Sequence, residues 1–382
     1  MTASAQATAA TAPAVPVSPT LPAVTVDDRG GPAQPLLVVR NLKKYFPVRA
    51  GLLSREKKFV HAVDGVSFAV AKGRTLGIVG ESGCGKSTTA RLIARLMEPD
   101  DGAMIFDGEG VAEFGGLALK EFRSKLQMVF QDSFASLNPR LTICETIAYG
   151  PQAHGMSVAD ATTRAQALLA RVGMEPAQFS SRYPHELSGG QRQRVNIARA
   201  LAFEPRLVIL DEAVAALDKS VQAQVLNLLQ ELKVERQLTY LFISHDLHVV
   251  HYISDDVMVM YLGQVSEMGP VERIYGAAAH PYTRALLSAV PSMDPAHRTE
   301  HSPLSGDPPN PINPPSGCRF RDRCSHAQAV CAAQMPALVS VLMQKAATGK
   351  VTDTTSGEPH LVACHMNDPH SGHTEALTEA AA

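Results

Sequence analysis

Apolar residues recur along this chain in short runs that alternate with segments of helical spacing. Residues 36–40 and 66–70 have the pattern of strands, and residues 75–79, 206–210 and 239–243 are short apolar runs typical of buried strands. A helix between the last two runs is indicated by four apolar residues at helical spacing: Val221, Val225, Leu228 and Leu232. This alternation predicts an α/β fold with a mostly parallel sheet covered by helices.

Shifts in residue type divide the chain into four segments. Residues 1–35 are dominated by Ala, Thr, Pro and Val without periodicity and are predicted to form a flexible leader. Residues 36–275 carry the strand and helix patterns and should form the main domain. Residues 276–366 are rich in proline and predict an irregular C-terminal extension. Residues 367–382 are polar and Ala-rich, as a flexible tail would be.

Composition and charge exclude several classes of function. The hydrophobic fraction of 45% and the charged fraction of 19% are those of a folded globular protein. Lys and Arg number 35 against 37 Asp and Glu, a net charge of −2, so no global positive field favours nucleic acid as a partner. No apolar run reaches the roughly 18 residues of a membrane-spanning helix. The first basic residue is Arg29, which argues against a secretory signal and for a cytosolic location.

A phosphate-binding pattern, G-x-x-x-x-G-K-[ST], stands between a predicted strand and a predicted helix. It consists of Gly80, Glu81, Ser82, Gly83, Cys84, Gly85, Lys86 and Ser87, with Thr88 following. Glycines let backbone N–H groups surround phosphate oxygens, Lys86 can reach the outer phosphates, and the Ser87 hydroxyl can bind Mg²⁺. The alternative is a chance glycine turn, which the strand and helix on either side disfavour. The pattern therefore predicts binding of a nucleoside triphosphate.

Two consecutive acids end the apolar run at 206–210. A pair of exposed carboxylates at a strand end is the simpler interpretation, but the phosphate loop elsewhere in the chain favours a catalytic one. Asp211 would then hold Mg²⁺, and Glu212 would activate the water that attacks the γ-phosphate.

The segment Leu-Ser-Gly-Gly-Gln at 187–191 opens another predicted helix. Spacing alone indicates an ordinary helix cap with Ser188 at the N-cap. Together with the preceding motifs, however, the segment resembles the signature of the ATP-binding cassette family over about residues 36–275. The resemblance implies a P-loop NTPase (RecA-like) ABC nucleotide-binding domain with a helical subdomain at about 132–189. It also implies a dimer of cassettes in which Ser188, Gly190 and Gln191 act on ATP held by the other subunit.

The same resemblance implies roles for four further residues. Gln131 would sense Mg²⁺ and the attacking water and report to a transmembrane partner. Asp218 would lie in the loop that links the two ATP sites, and His245 would contact the γ-phosphate, although a histidine after an apolar strand is more often a packing or surface residue. Phe46 is expected to stack on adenine, with Tyr45 as the second choice.

Three longer stretches resemble a narrower group, the ATP-binding subunits of bacterial dipeptide and oligopeptide importers. They lie at 131–142, 280–291 and 311–324, and the resemblance covers about residues 36–365. It implies ATP hydrolysis that drives peptide import, with a second homologous ATPase subunit in a heterodimer, two permease subunits and an extracytoplasmic peptide-binding protein. The chain would lie at the cytoplasmic face of the bacterial inner membrane. The same architecture could instead serve nickel, glycosides or opines, and a soluble ATPase acting on nucleic acid or the ribosome is a more distant alternative.

Four of the six cysteines lie in the C-terminal extension, at Cys318, Cys324, Cys331 and Cys364. Four thiolates suit either a [4Fe-4S] cluster or tetrahedral zinc, although the spacing fits neither common ferredoxin pattern. The plain alternative is four reduced, partly buried thiols. The resemblance to importer subunits favours iron and sulfur.

Overall fold

A computed structural model describes the greater part of the chain: residues 31, 34–48, 58–111, 116–290, 309–341 and 359–376. The strands are β1 (Leu37–Val48), β2 (Lys58–Val70), β3 (Thr75–Val79), β4 (Asp101–Phe106), β5 (Glu109–Gly110), β6 (Leu126–Val129), β7 (Leu207–Asp211), β8 (Thr239–Ile243), β9 (Asp256–Tyr261), β10 (Gln264–Pro270), β11 (Val339–Ser340) and β12 (Leu361–Val362). Nearly all of the predicted leader, and residues 377–382 of the predicted tail, lie outside the described residues.

The helices follow the strands along most of the chain. They are α1 (Lys86–Ile93), α2 (Leu119–Lys125), α3 (Ile143–Ala153), α4 (Val158–Arg171), α5 (Pro176–Phe179), α6 (Gly189–Leu201), α7 (Lys219–Arg236), α8 (Leu247–Ile253), α9 (Val271–Gly276), α10 (Pro281–Ser288) and α11 (Ala329–Ala333). Within the described ranges, none of these helices has the length and apolar character needed to cross a membrane.

The main sheet has eight strands in the order β11-β12-β10-β9-β3-β8-β7-β6. Its central strands β9, β3, β8, β7 and β6 run parallel, and β3, β7 and β8 are buried along their whole length. Strands covered on both faces have continuous apolar runs, so the apolar pattern of the sequence predicted all three of these strands. The predicted α/β fold is confirmed.

Two hydrophobic cores lie on opposite faces of this sheet because side chains alternate along a strand. Leu207 and Ile209 face the core beneath a second, antiparallel sheet of order β2-β1-β4-β5. Val208 and Leu210 face the other core, which is built with the helices. The strands β1 and β2 are longer than the predicted runs at 36–40 and 66–70 because their polar outer parts continue the pairing.

The helical subdomain packs beside the parallel sheet. Thr142 caps α3 in a capping box with Glu145, and Ser157 caps α4. Buried Ala161, Ala165 and Leu168 form one face of α4, which packs on α3 and α6.

The C-terminal extension joins the main sheet directly. β12 pairs with β10, and β11 pairs with β12, so a segment distant in sequence lengthens the sheet. The described part of the predicted tail also contacts the extension: the His373 Nε2 atom lies 2.9 Å from the His326 carbonyl oxygen, and the Glu375 carboxylate lies 2.8 Å from His326 Nδ1. The described chain thus stays packed as far as residue 376.

Candidate functional site

The residues that follow four neighbouring parallel strands lie together at one edge of the main sheet. The order β6-β7-β8-β3 places Gln131 after β6, the acids at the end of β7, His245 after β8 and the phosphate loop after β3. Carboxyl ends of parallel strands meet at the same edge, where ligands of open α/β sheets bind. Residues that are far apart in sequence are thereby brought together.

At two places in the phosphate loop, both the backbone conformation and the lack of space require glycine. Gly80 has φ 146° and Gly85 has φ 107°, and a Cβ atom at either would lie 2.2 Å from a backbone oxygen, of Met260 and Ala62 respectively. Ser82 and Gly83 are exposed at the tip, while Cys84 is buried. The sequence therefore folds into a loop with an open tip and a packed base.

Lys86 lies at the N-terminus of α1, beside the same loop. Its buried ammonium group donates to the carbonyl oxygens of Gly80 at 2.7 Å and Glu81 at 3.0 Å. Ser87 and Thr88 follow in the first turn of α1 and are half-buried. The cation and the free N–H groups of a helix start together favour an anion such as phosphate.

Ser87 and Asp211 form the candidate Mg²⁺ site. The Ser87 hydroxyl donates to Asp211 Oδ1 at 2.9 Å across 124 residues of sequence. Asp211 is buried, and this burial, partly offset by the Ser87 hydrogen bond, raises the pKa of its carboxyl group. A hydroxyl and a carboxylate are oxygen ligands of the kind that Mg²⁺ prefers, so the pair fits the predicted ion.

Glu212 faces the other catalytic candidates. The Gln131 side-chain amide donates to Glu212 Oε2 at 2.7 Å, and His245 Nδ1 lies 3.5 Å from Glu212 Oε1. The backbone of Glu212 has φ 47°, and its N–H donates to the Ile243 carbonyl oxygen at 2.9 Å. The structure thus brings Gln131, Glu212 and His245 together.

The signature segment forms a helix cap, as its spacing indicated. Ser188 accepts a hydrogen bond from the Gln191 N–H at 3.3 Å, and the Ser188 N–H donates to the Gln191 side chain at 2.9 Å. A Cβ atom at Gly190 would lie 2.4 Å from Val221 Cγ1, so glycine lets α6 approach α7 closely. Asp218 is exposed at the start of α7, and its side chain makes no capping bond there. Within the described chain, neither Ser188 nor Gln191 bonds to the phosphate loop.

The two aromatic candidates for adenine differ in their contacts. The Tyr45 hydroxyl donates to Asp64, and the Tyr45 ring lies 4.5 Å from that of His61. Phe46 is half-buried opposite Val60, with the Lys44 ammonium 5.9 Å from its ring centre. Because Tyr45 is already held, Phe46 is the less constrained of the two.

Two residues that sequence reasoning missed contact the phosphate loop. Arg323 pairs with the Glu81 carboxylate, and the Tyr282 hydroxyl accepts from the Glu81 N–H at 2.9 Å. Both lie in stretches that resemble importer subunits, 280–291 and 311–324, to which no role was assigned from the sequence. These stretches were the only indication in the sequence that the two residues matter.

The four predicted cysteine ligands line one small cavity together with His326, His365 and His373. Burial raises the pKa of Cys318 to about 11 and that of Cys364 to about 12, which favours neutral thiols. Among the residues that the structure describes, no group of three or more His, Cys, Asp or Glu side chains is arranged to hold a metal ion. The described residues therefore support neither the predicted [4Fe-4S] cluster nor zinc.

Two known families and a solved structure are similar to this chain. The family described as "ABC transporter" matches residues 63–215, and the family described as "Oligopeptide/dipeptide transporter, C-terminal region" matches residues 266–331. In structure, the chain is similar to cbiO1 of Clostridium perfringens, part of the ABC transporter complex cbiONQ. The TM-score is 0.54 at 27% identity, covering 64% of this chain and 91% of that one.

Curated relatives match most of the chain. The oligopeptide transport ATP-binding protein AppF of Bacillus subtilis is 48% identical over 335 residues, which is 87% of this chain and 97% of AppF. The dipeptide transport ATP-binding protein DppF of Haemophilus influenzae is 47% identical over 306 residues, 80% of this chain and 93% of DppF. With the geometry described above, these matches show that the chain belongs to the ATP-binding subunits of oligopeptide and dipeptide ABC transporters.

Proposed function

We propose that this chain hydrolyses ATP at the described edge of the main sheet to drive import of dipeptides or oligopeptides. The convergence of Gln131 and His245 on the Glu212 carboxylate, beside the Ser87–Asp211 pair, is the observation that carries the ATPase chemistry. The match of 266–331 to the C-terminal region of peptide transporters, and the names of the relatives, support the peptide solute.

In this proposal the phosphate loop binds the ATP phosphates. Lys86 exchanges its bonds to loop carbonyls for the β- and γ-phosphates, and Phe46 supports the adenine ring. Ser87, Asp211 and Gln131 would hold Mg²⁺. When bound, Mg²⁺ neutralises charge on the phosphate oxygens as the γ-phosphoryl group is transferred.

Glu212 acts as the general base for hydrolysis. Its carboxylate takes a proton from the attacking water while the bond between the γ-phosphorus and the bridging oxygen breaks, giving ADP and phosphate. Gln131 orients that carboxylate through its amide, and His245 contacts the γ-phosphate. The Glu212 N–H bond to the Ile243 carbonyl oxygen holds the backbone from which this carboxylate projects.

The signature residues suit a role across a subunit interface. Ser188 is exposed, Gly190 and Gln191 are half-exposed, and Asp218 is exposed at the neighbouring helix start. We propose that they close over ATP bound to a second ATPase subunit, which is a homologue rather than a second copy of this chain. Purification with differently tagged copies tests this: recovery of one tag without the other, together with a second cassette subunit, is expected, and recovery of both tags in one complex would exclude the heterodimer.

A partly apolar groove beside Gln131 suits the permease. The groove lies between the sheet and the helical subdomain and has a volume of about 340 Å³; its lining includes Leu96, Met128, Phe130, Tyr149 and Phe203. Leu96 is 54% exposed and Tyr149 65% exposed. Because Phe130 precedes Gln131, a permease segment in this groove would contact the chain next to the catalytic glutamine.

Co-purification from membranes tests the whole proposal. The tagged chain, extracted from host membranes in mild detergent, should bring down a second cassette subunit and two permease subunits. Vesicles containing that complex and its binding protein should then accumulate a labelled dipeptide when ATP is supplied, and unlabelled peptides should compete. Competition by nickel, a glycoside or an opine, but not by peptides, would refute the solute. Recovery with ribosomes or DNA and no permease would refute the importer.

A further inference from the structure

Glu81, the second residue of the phosphate loop, is held by the C-terminal extension at two separate points. Arg323 Nη1 donates to Glu81 Oε2 at 2.7 Å, and Arg323 Nη2 donates to Glu81 Oε1 at 3.0 Å. The Glu81 backbone N–H donates to the Tyr282 hydroxyl oxygen at 2.9 Å. Both the side chain and the backbone of this residue are therefore fixed by parts of the chain about 200 residues away or more.

These contacts are well shielded from water. The Arg323 side chain is only 5% exposed and that of Glu81 21% exposed, and Tyr282 is fully buried. A bidentate pair between a guanidinium and a carboxylate fixes orientation as well as distance, and shielding strengthens it. Such a pair differs from an exposed surface ion pair, which contributes little.

An aromatic cluster holds the two anchors in place. The Tyr282 ring lies 4.6 Å from the Tyr261 ring and 5.4 Å from the Phe320 ring. The Arg323 guanidinium lies 5.9 Å from the centre of the Tyr261 ring and donates to its hydroxyl at 3.4 Å. Burial raises the pKa of the Tyr282 hydroxyl, so this group stays neutral and can accept the Glu81 N–H bond.

The bonds on the two sides of Glu81 will change differently when nucleotide enters. Lys86 now donates to the Glu81 carbonyl oxygen, and this lysine is the group that turns to the phosphates. The bonds from Arg323 and Tyr282 involve neither Lys86 nor the exposed tip at Ser82 and Gly83. They can therefore keep the start of the loop in place while Lys86 moves.

We infer that Arg323 and Tyr282 are positioning residues of the ATP site, which hold the phosphate loop ready for nucleotide from the C-terminal extension. The inference rests on the proposed ATPase function and deepens it. The extension, whose family match was only to a transporter region, becomes part of the nucleotide-binding machinery.

Binding of a fluorescent ATP analogue to the full-length chain tests the inference. Arg323→Gln removes the ion pair, and Tyr282→Phe removes only the hydroxyl that fixes the Glu81 N–H. Each should raise the dissociation constant about fivefold to tenfold, the size expected for a lost buried hydrogen bond. Arg321→Gln and Tyr275→Phe are matched controls, because Arg321 bonds to Ser316 and Tyr275 to Leu247 rather than to the loop. Both controls should bind like wild type.

Exchange of the two charges separates positioning from a general loss of structure. The double variant Glu81→Arg with Arg323→Glu restores the pair in reverse and should recover most of the affinity lost by either single variant. In the assembled importer, the variants should raise the KM for ATP much more than they lower kcat. If Arg323→Gln and Tyr282→Phe both had the wild-type affinity and KM for ATP, the positioning inference would be wrong and the proposed function would stand. If the wild-type chain failed to bind ATP, the proposed function would be wrong as well.

Discussion

Glu212 is the proposed general base, and it contacts both Gln131 and His245. The variant Glu212→Gln keeps the size of the side chain but removes its ability to take a proton. We expect ATP hydrolysis by the assembled complex to fall by about 100-fold or more, with ATP binding retained. Phosphate release and nucleotide binding measure the two effects. Glu204→Gln, at a side chain that is 66% exposed, is the control, and a wild-type rate in Glu212→Gln would contradict the general-base role.

Phe46 should support adenine, whereas the Tyr45 hydroxyl should not matter for it. We expect Phe46→Ala to weaken ATP binding about threefold to tenfold through loss of stacking. Tyr45→Phe removes only the bond to Asp64 and should bind ATP as wild type does. Titration with a fluorescent ATP analogue compares the two variants. Wild-type binding by Phe46→Ala would contradict the adenine role of Phe46.

At the residue scale, local motifs were sufficient to predict the candidate catalytic residues but not the residues that hold the phosphate loop. Lys86, Ser87, Asp211 and Glu212 stand in short patterns whose chemistry is legible from residue type and spacing. The contact of Arg323 with Glu81 spans 242 positions, and no local pattern in the sequence encodes such a pairing.

At the scale of elements, Glu267 joins β10 to the C-terminal extension. It is fully buried and accepts hydrogen bonds from the N–H groups of Ala279 at 2.6 Å and His280 at 3.0 Å and from His360 Nε2 at 2.7 Å. Burial opposes its ionisation, but these bonds outweigh burial and lower the pKa of the carboxyl group below its usual 4.5.

The lowered pKa gives the stability of this joint a defined pH dependence. The contribution of Glu267 is fully present above pH 4.5 and is lost as the pH falls through the lower folded-state value. We expect Glu267→Gln to lower the free energy of unfolding by about 1–3 kcal/mol at pH 7, with a smaller difference near pH 3.5. Urea unfolding between about pH 3.5 and pH 7 measures this difference in the free energy of unfolding, and the exposed variant Glu272→Gln is the control. A difference that does not change with pH would contradict the prediction that the Glu267 carboxylate is ionised in the folded protein.

The sequence pattern predicted the fully buried strands accurately and missed the shortest strands. The runs at 75–79 and 239–243 coincide with β3 and β8, because strands covered on both faces must be apolar throughout. The two-residue strands β11 and β12 are too short for any periodicity, so their pairing with β10 could not be predicted.

At the scale of the whole molecule, the groove beside Gln131 should be the surface that meets the permease. Tyr149→Ala removes its most exposed aromatic side chain, which is 65% exposed, and should reduce co-purification of the permease. ATP binding by the purified chain should not change, because Tyr149 lies on α3 and outside the nucleotide contacts. Tyr252→Phe, on α8, is the control. Undiminished recovery of permease with Tyr149→Ala would place the docking surface elsewhere.

Asp211 and Glu212 are neighbours in sequence, yet one contacts Ser87 and the other contacts Gln131. Their separate tasks depend on where β7 ends, since side chains alternate along a strand. An in-frame gain or loss of one codon within β7 would leave both acids in the gene while exchanging the directions in which they point. This segment should therefore accept conservative replacements during evolution far more readily than any change in its length.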